Sequence, residues 1–239
     1  MNFEIVWDTL PRFFSGALLT IEITAVSVAI GLLLAVPLAI FRVSRNPLLS
    51  WPVQGFTFFF RGTPLLVQLF LVYYGAGQFS DTLRSVGLWF LFRDPWFCGV
   101  FTLTLNTAAY TCEILRGGIQ AVPHGEVEAA RAFGMSGAKL YRRIILPKAA
   151  RIALPAYSNE VIFLLQATSL VSLITLMDIT GVASRVAARS FAFYELYLTA
   201  AVFYLVIVYG LQGAFRRVER RLSGHLRERP DAEPASLRG

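Results

Sequence analysis

The stretch GEVEAARAFGMSGAKLYRRIILP, residues 125–147, decides how this chain is read. It sets out Glu128-Ala129-Ala130, then Gly134, then Ile144, Leu146 and Pro147. Glu126 to Phe133 reads as a short amphipathic helix with Val127, Ala130 and Phe133 along one side. Gly134 permits a tight turn that a side chain would resist. Ala138 to Ile145 starts a second short helix, which Pro147 interrupts. The result is a charged helix-turn-helix hairpin between two apolar spans. Such a hairpin suits a docking partner; from the residues alone, an amphipathic loop lying on the membrane surface is an equal alternative.

The apolar runs on either side set the fold class. Of the 239 residues, 56% are hydrophobic and 15% charged, and mean hydropathy is +0.58. Soluble domains carry about 25% charged residues. Nearly uncharged runs cover residues 13–41 (broken only by Glu22), 62–80, 95–112, 161–176 and 196–215. A helix crosses a bilayer with roughly 17–25 such residues, and a helix satisfies its own backbone there. The chain therefore reads as an all-α integral membrane protein with five transmembrane helices. The second span starts near Gly55; the fourth starts near Ile152 and takes in Glu160. Pro37, Pro64 and Pro155 should kink or start their helices. Residues 1–222 form a single domain with the hairpin loop at about 119–150. Residues 223–239 form a polar tail with Pro230 and Pro234, expected to be disordered. Cys98 and Cys112, on one expected helix, are about 21 Å apart and cannot pair.

Charge orients the spans. The formal net charge is +7, and most of the 22 basic residues fall in three segments. These are Arg42–Arg45, Arg116–Arg151 and Arg216–Arg238. By the positive-inside rule these segments are cytoplasmic, which puts the N-terminus outside and the C-terminus inside. The other loops hold Arg84, Arg93, Arg185 and Arg189, balanced by Asp81, Asp94, Asp178 and Glu195. The basic charge is topology information, and no nucleic acid partner is implied. Glu22, alone in the first span, is expected to pair with a neighbouring helix.

Within this frame the pattern Glu128-Ala129-Ala130, Gly134, Ile144, Leu146, Pro147 resembles the EAA loop of binding-protein-dependent ABC importers. Phe60-Arg61-Gly62-Thr63-Pro64-Leu65-Leu66-Val67-Gln68 resembles the second-helix signature of the polar amino acid branch of those permeases. Asn106-Thr107-Ala108-Ala109-Tyr110 with Glu113-Ile114 and Arg116-Gly117-Gly118-Ile119 is similar to its third helix. Asn159-Glu160-Val161-Ile162 with Thr168-Ser169-Leu170-Val171-Ser172 is similar to its fourth. Leu154 to Glu160 and Phe92-Arg93-Asp94 look most like permeases for histidine, lysine, arginine, ornithine, octopine or nopaline. The resemblance covers roughly residues 15–220. It implies a type I ABC importer permease in the bacterial cytoplasmic (inner) membrane, with a cytoplasmic coupling helix. It also implies partners: ABC ATPase subunits, which bind the ATP and Mg, a second permease subunit, identical or paralogous, and a periplasmic amino-acid-binding protein. The small-molecule substrate is an amino acid, and membrane lipid surrounds the complex. The coupling residues implied are Glu128, Ala129, Ala130, Gly134, Ile144, Leu146 and Pro147.

Polar groups inside a membrane face a bundle interior or a wet path. Asn106, Tyr110, Glu113, Glu160, Gln166, Thr168, Ser169 and Ser172 are the candidates for a substrate pathway, with bonding between helices as the bland alternative. Helical spacing puts Thr168 and Ser172 on one face, and Asn106 and Tyr110 on another. Many relatives carry a lysine, then Asp or Ser, where this chain has Gln166 and Ala167. The missing positive charge fits a cationic or zwitterionic substrate, with Glu113 and Glu160 as acidic groups near the same helices; the equal alternative is that the position belongs to the half of a heterodimer that does not hold substrate. No G-x-x-x-x-G-K-[ST] occurs, nor a Ser/His/Asp set or metal-ligand spacing. The chain thus holds no cofactor or metal and is not itself an enzyme. A permease for glutamine or glutamate, a stand-alone secondary transporter, and a membrane scaffold are the alternatives; the last two leave the EAA spacing without a purpose. Impermeant thiol reagents applied from outside should label cysteines placed near Asp81 and Asp178. They should miss one at Ser136, and labelling of Ser136→Cys in intact cells would overturn the orientation.

Overall fold

The computed structural model describes residues 4–222; the expected disordered tail lies outside them. Among the described residues every regular element is helical. In chain order these are α1 (Glu4–Arg42), α2 (Pro47–Gly62), α3 (Leu65–Gln78), α4 (Ser80–Ser85), α5 (Trp89–Phe92) and α6 (Pro95–Gln120). Then follow α7 (His124–Ala132), α8 (Gly137–Leu140), a π turn (Tyr141–Ile145), α9 (Leu146–Ala167), a 3₁₀ turn (Thr168–Ile174), α10 (Ile179–Ser190) and α11 (Phe193–Leu222).

Helix α6 is the centre of the bundle, packed by α1, α9, α3 and α2, while α10 and α11 close on the first half of α1. The interior is built from small and hydroxyl-bearing residues. Thr20, Ser27, Thr102, Thr107, Thr111 and Ala108 are buried, whereas Leu18, Leu33 and Phe58 point outward. This inside-out distribution is what lipid selects: burying apolar groups brings helices little gain there, so close backbone approach and hydroxyl bonding hold the bundle. Gly118 shows the closeness. A Cβ on it would sit 2.6 Å from the Ala149 carbonyl oxygen, so α6 and α9 meet backbone to backbone.

By length and composition α1, the Gly137–Ile174 run and α11 could each cross a membrane. The expected second span is different in kind. It is the pair α2 and α3, bent by 101° at Thr63-Pro64, and it counts as a fourth crossing if the pair is one span. Pro64 therefore starts α3 and stands as its N-cap. Pro147 does not interrupt the chain as expected. The π turn shifts the backbone register just before it, with the Leu146 N–H bonded to Tyr141 O, and the missing proline N–H falls at that change. Residues 137–174 consequently run as one 38-residue helical rod.

Asp178 also departs from its expected place in an exposed outer loop. It is fully buried. Its carboxylate caps α10 by accepting from Thr180 N and Gly181 N, and it accepts from the Tyr204 hydroxyl at 2.9 Å. A cysteine at position 178 itself would thus be shielded from the labelling reagent, while exposed Asp81 remains the informative outer position.

Candidate functional site

The helix break creates the site. Because Pro64 has no N–H, the Phe60 carbonyl lacks the partner a continuous helix would supply. Side chains replace it: Gln68 Nε2 donates to Phe60 O at 2.8 Å, and Asn106 Nδ2 donates to the same oxygen at 3.2 Å. Gln68 Nε2 also donates to Thr63 O and Thr63 Oγ1, and Gln68 Oε1 accepts from Asn106 Nδ2 at 3.0 Å. The Thr63 hydroxyl donates to Phe59 O at 2.8 Å. One buried amide, Gln68, thus stitches α2, α3 and α6 together.

Beside the break lies a cleft of 260 Å³ lined by Thr63, Leu65, Asn106, Tyr110, Glu160, Phe163, Leu164 and Ala167. Three of the expected pathway residues, Asn106, Tyr110 and Glu160, meet here. The Asn106 nitrogen is committed to the break. Glu160 accepts from Thr107 Oγ1 at 3.2 Å through one oxygen, and its other oxygen has no partner among the described residues. Phe163 is 66% exposed, so the cleft is open along that side of α9.

The other pathway candidates lie elsewhere. Glu113 does not line the cleft. Arg42 at 3.3 Å, Arg61 at 3.8 Å and Arg116 at 2.7 Å surround its carboxylate, and Thr57 donates to it at 3.4 Å. Its charge is held by arginines from α1, α2 and α6, so it cannot offset a cationic ligand as expected. Arg61 also stands over the Tyr110 ring at 5.3 Å, between this cluster and the cleft. Gln166 faces outward from α9. Thr168 is fully buried and bonded to Leu165 O. Thr168 and Ser172 do not share a face, because the segment is a 3₁₀ turn with three residues per turn. Ser169 and Ser172 are the aligned pair, and the Ser172 hydroxyl donates to Ser169 O. Glu22 lies exposed on α1 without the expected helix partner among the described residues.

Sequence reasoning did not single out Gln68, Thr63 and Arg61 as site residues. A signal existed for the first: a lone amide in an apolar run, four residues after a proline.

The 125–147 stretch folds as a hairpin. Helix α7 ends in a Schellman turn, with Met135 N donating to Ala130 O and Gly134 N to Arg131 O. Gly134 has φ +76° and nothing near its missing Cβ, so backbone conformation, and not space, calls for glycine. One face of the hairpin packs on the start of α9: Val122, Ala130, Leu140, Ile145 and Ala149 form a cluster with Val127 and Ile144 at its edge. Lys148 and Glu126 form an ion pair that ties α7 to α9. The opposite face is bare. Glu128, Ala129 and Gly134 are exposed, and Phe133 is 85% exposed. Phe133 thus leaves the side shared by Val127 and Ala130, because it is the helix-terminating residue.

A helical membrane bundle with a polar cleft at a helix break and a packed, one-faced hairpin is the build of a transport subunit. The chain belongs to the family of binding-protein-dependent transport system inner membrane components, which matches over residues 27–224. It is 42% identical over 229 residues to the nopaline transport system permease protein NocM of Agrobacterium fabrum, covering 96% of this chain and 95% of that one. It is 45% identical over 214 residues to the octopine transport system permease protein OccM of Rhizobium radiobacter, covering 90% and 87%. It is 47% identical over 223 residues to the histidine/lysine/arginine/ornithine transport system permease protein HisM of Escherichia coli, covering 93% of each. Among solved structures, an amino acid ABC transporter crystallised with histidines superposes with a TM-score of 0.80 at 33% identity, over 92% of this chain and 99% of that one. The inward-facing MetNI methionine ABC transporter shares the fold, with a TM-score of 0.72 at 20% identity over 93% and 99%.

Gln68→Leu keeps the side-chain volume but leaves Phe60 O, Thr63 O and Asn106 short of partners. Each buried group so orphaned costs about 1–3 kcal/mol. The variant is expected to unfold at a lower temperature in detergent, and an unchanged midpoint would show that the break does not depend on this amide.

Proposed function

We propose that the chain is a permease subunit of a binding-protein-dependent ABC importer that takes up basic amino acids or opines. Its own contribution is the pathway and the coupling hairpin. ABC ATPase subunits bind ATP and Mg and supply the work, a periplasmic binding protein delivers the amino acid, and a second permease subunit completes the pathway. In this reading the chain crosses the inner membrane five times: α1, the bent α2–α3 pair, α6, the rod through α9, and α11. The N-terminus is outside and the C-terminus inside.

The observation that carries the reading is the hairpin. Its inner face is packed onto α9, and its outer face leaves Phe133 and Ala129 bare beside Glu128. An exposed aromatic on a helix end otherwise saturated by a Schellman turn calls for a protein groove, and an ATPase surface fits it. The hairpin is continuous with the rod of residues 137–174, which carries Glu160 into the cleft. Movement at the hairpin therefore reaches the cleft wall along one helix. ATP-driven transport needs such a link, because the site must bind substrate differently in its two states.

Substrate class rests on Glu160 and on the relatives' names. One carboxylate oxygen stands free in a cleft otherwise lined by neutral groups. It suits an amine, guanidinium or imidazolium, with Arg61 the cation nearest the cleft edge. The cleft opens on the exposed Phe163 side of α9, where a second permease subunit would close it.

Two experiments test the reading in the complete transporter. Gly134→Val forces a β-branched residue into the left-handed region, at about 1–3 kcal/mol. It should abolish uptake and substrate-stimulated ATP hydrolysis while the permease remains folded in the membrane; retained uptake would refute the coupling role. Glu160→Gln should depress arginine or histidine uptake in vesicles about tenfold more than glutamine uptake, a difference of about 1.4 kcal/mol. Equal losses would remove the electrostatic basis for the substrate class.

A further inference from the structure

Arg12 of α1 and Arg185 and Arg189 of α10 line one cleft of 370 Å³ with Ser15, over a floor of Met177, Val182 and Val186. Arg185 and Arg189 are one helical turn apart on the same face. All three arginines are exposed, and none has an ion-pair partner among the described residues. Asp8 lies one turn before Arg12 on α1 but forms no ion pair with it, and Asp178, seven residues before Arg185, is unavailable: it is buried and spent on the α10 cap and Tyr204. Three unpaired positive charges on one small concavity repel one another, so the arrangement asks for an anion.

The surroundings say which kind. Trp7, Phe191, Phe193 and Tyr194 are exposed at this end of α1 and at the corner between α10 and α11. Exposed aromatics of this kind collect at the level of lipid headgroups. The cleft itself pairs a cationic rim with an apolar floor, which matches a molecule that is anionic at one end and hydrocarbon at the other. Arginine offers a phosphate a forked set of donors. We propose that this cleft binds the phosphate of an acidic phospholipid, with the start of its acyl region over Met177 and Val186. Because Gly16 and Thr20 of α1 pack on the Asp178–Ile179 backbone, the lipid would clamp α1 to α10 at the outer end of the bundle.

The proposal rests on the membrane-spanning reading but not on transport. The test is lipid retention by the intact complex, purified in mild detergent and exchanged into nanodiscs of phosphatidylcholine with a small fraction of phosphatidylglycerol. Native mass spectrometry should find phosphatidylglycerol retained by the natural protein. It should be retained on the order of a hundredfold more weakly by the triple variant R12Q/R185Q/R189Q, as expected for three cationic groups at a membrane surface. A triple lysine variant should recover most of it. If the triple glutamine variant does not assemble, Arg185→Gln alone should lose roughly fivefold. Retention equal to the natural protein in the glutamine variants overturns the proposal. So does displacement of the lipid by millimolar inorganic phosphate, which would mark a free-anion site. Weaker docking of the periplasmic binding protein with lipid retention unchanged would overturn it in favour of an acidic protein surface. Lipid retention is read without any uptake measurement, so its failure leaves the permease reading, which Gly134→Val and Glu160→Gln test, untouched.

Discussion

The structure depends on one constraint: in the interior of a membrane bundle no backbone carbonyl can be left without a donor. Pro64 breaks that rule locally by removing an N–H, and the fold answers with two side-chain amides. Gln68 and Asn106 both reach Phe60 O, and Gln68 also holds Thr63. The bend of 101° between α2 and α3 is stable because of them. The cleft beside the bend exists because α3 turns away from the line of α2, so the residues that satisfy the break also line or border the site. Asn106 belongs to both for this reason: its nitrogen serves the break while its side chain borders the cleft.

The same constraint explains why α6 looks less apolar than its neighbours although it lies at the centre. It carries Asn106, Thr107 and Glu113, groups that lipid would penalise and that a surrounded helix can supply to other helices, while its Thr102 hydroxyl turns back to Cys98 O of the same helix. Thr107 bonds Glu160 of α9, Asn106 bonds α2 and α3, and Glu113 gathers arginines from α1 and α2. The helix least suited to face lipid is the hub through which the others are tied.

Charge is handled differently at the two ends of the bundle. Near Glu113 the arginines find an acid, and Arg61 lies over Tyr110 at the cleft edge. A net positive cluster therefore borders the cleft that holds Glu160. Near Asp178 the acid is drawn inward to cap α10, and the arginines outside are left without it. A tally of loop charges sees Asp178 and Arg185 as balanced; the packing separates them.

The sequence by itself determined the membrane class, the all-helical build, the hairpin and the requirement for glycine at position 134. These follow from local rules: hydropathy over a span, charge between spans, and the φ a helix-ending turn imposes. It also made Asn106, Tyr110 and Glu160 candidates, since polar groups are rare in apolar helices. Only the tertiary structure decided which of the polar groups meet. Glu113 and Glu160 look alike in sequence, yet three arginines hold one and a cleft receives the other. Pro64 and Pro147 are both prolines next to apolar runs, yet one bends the chain and the other sits silently after a π turn. Which outcome a proline or a carboxylate has depends on whether another helix brings a partner to it, and that contact is set by packing between distant segments, which no local pattern encodes.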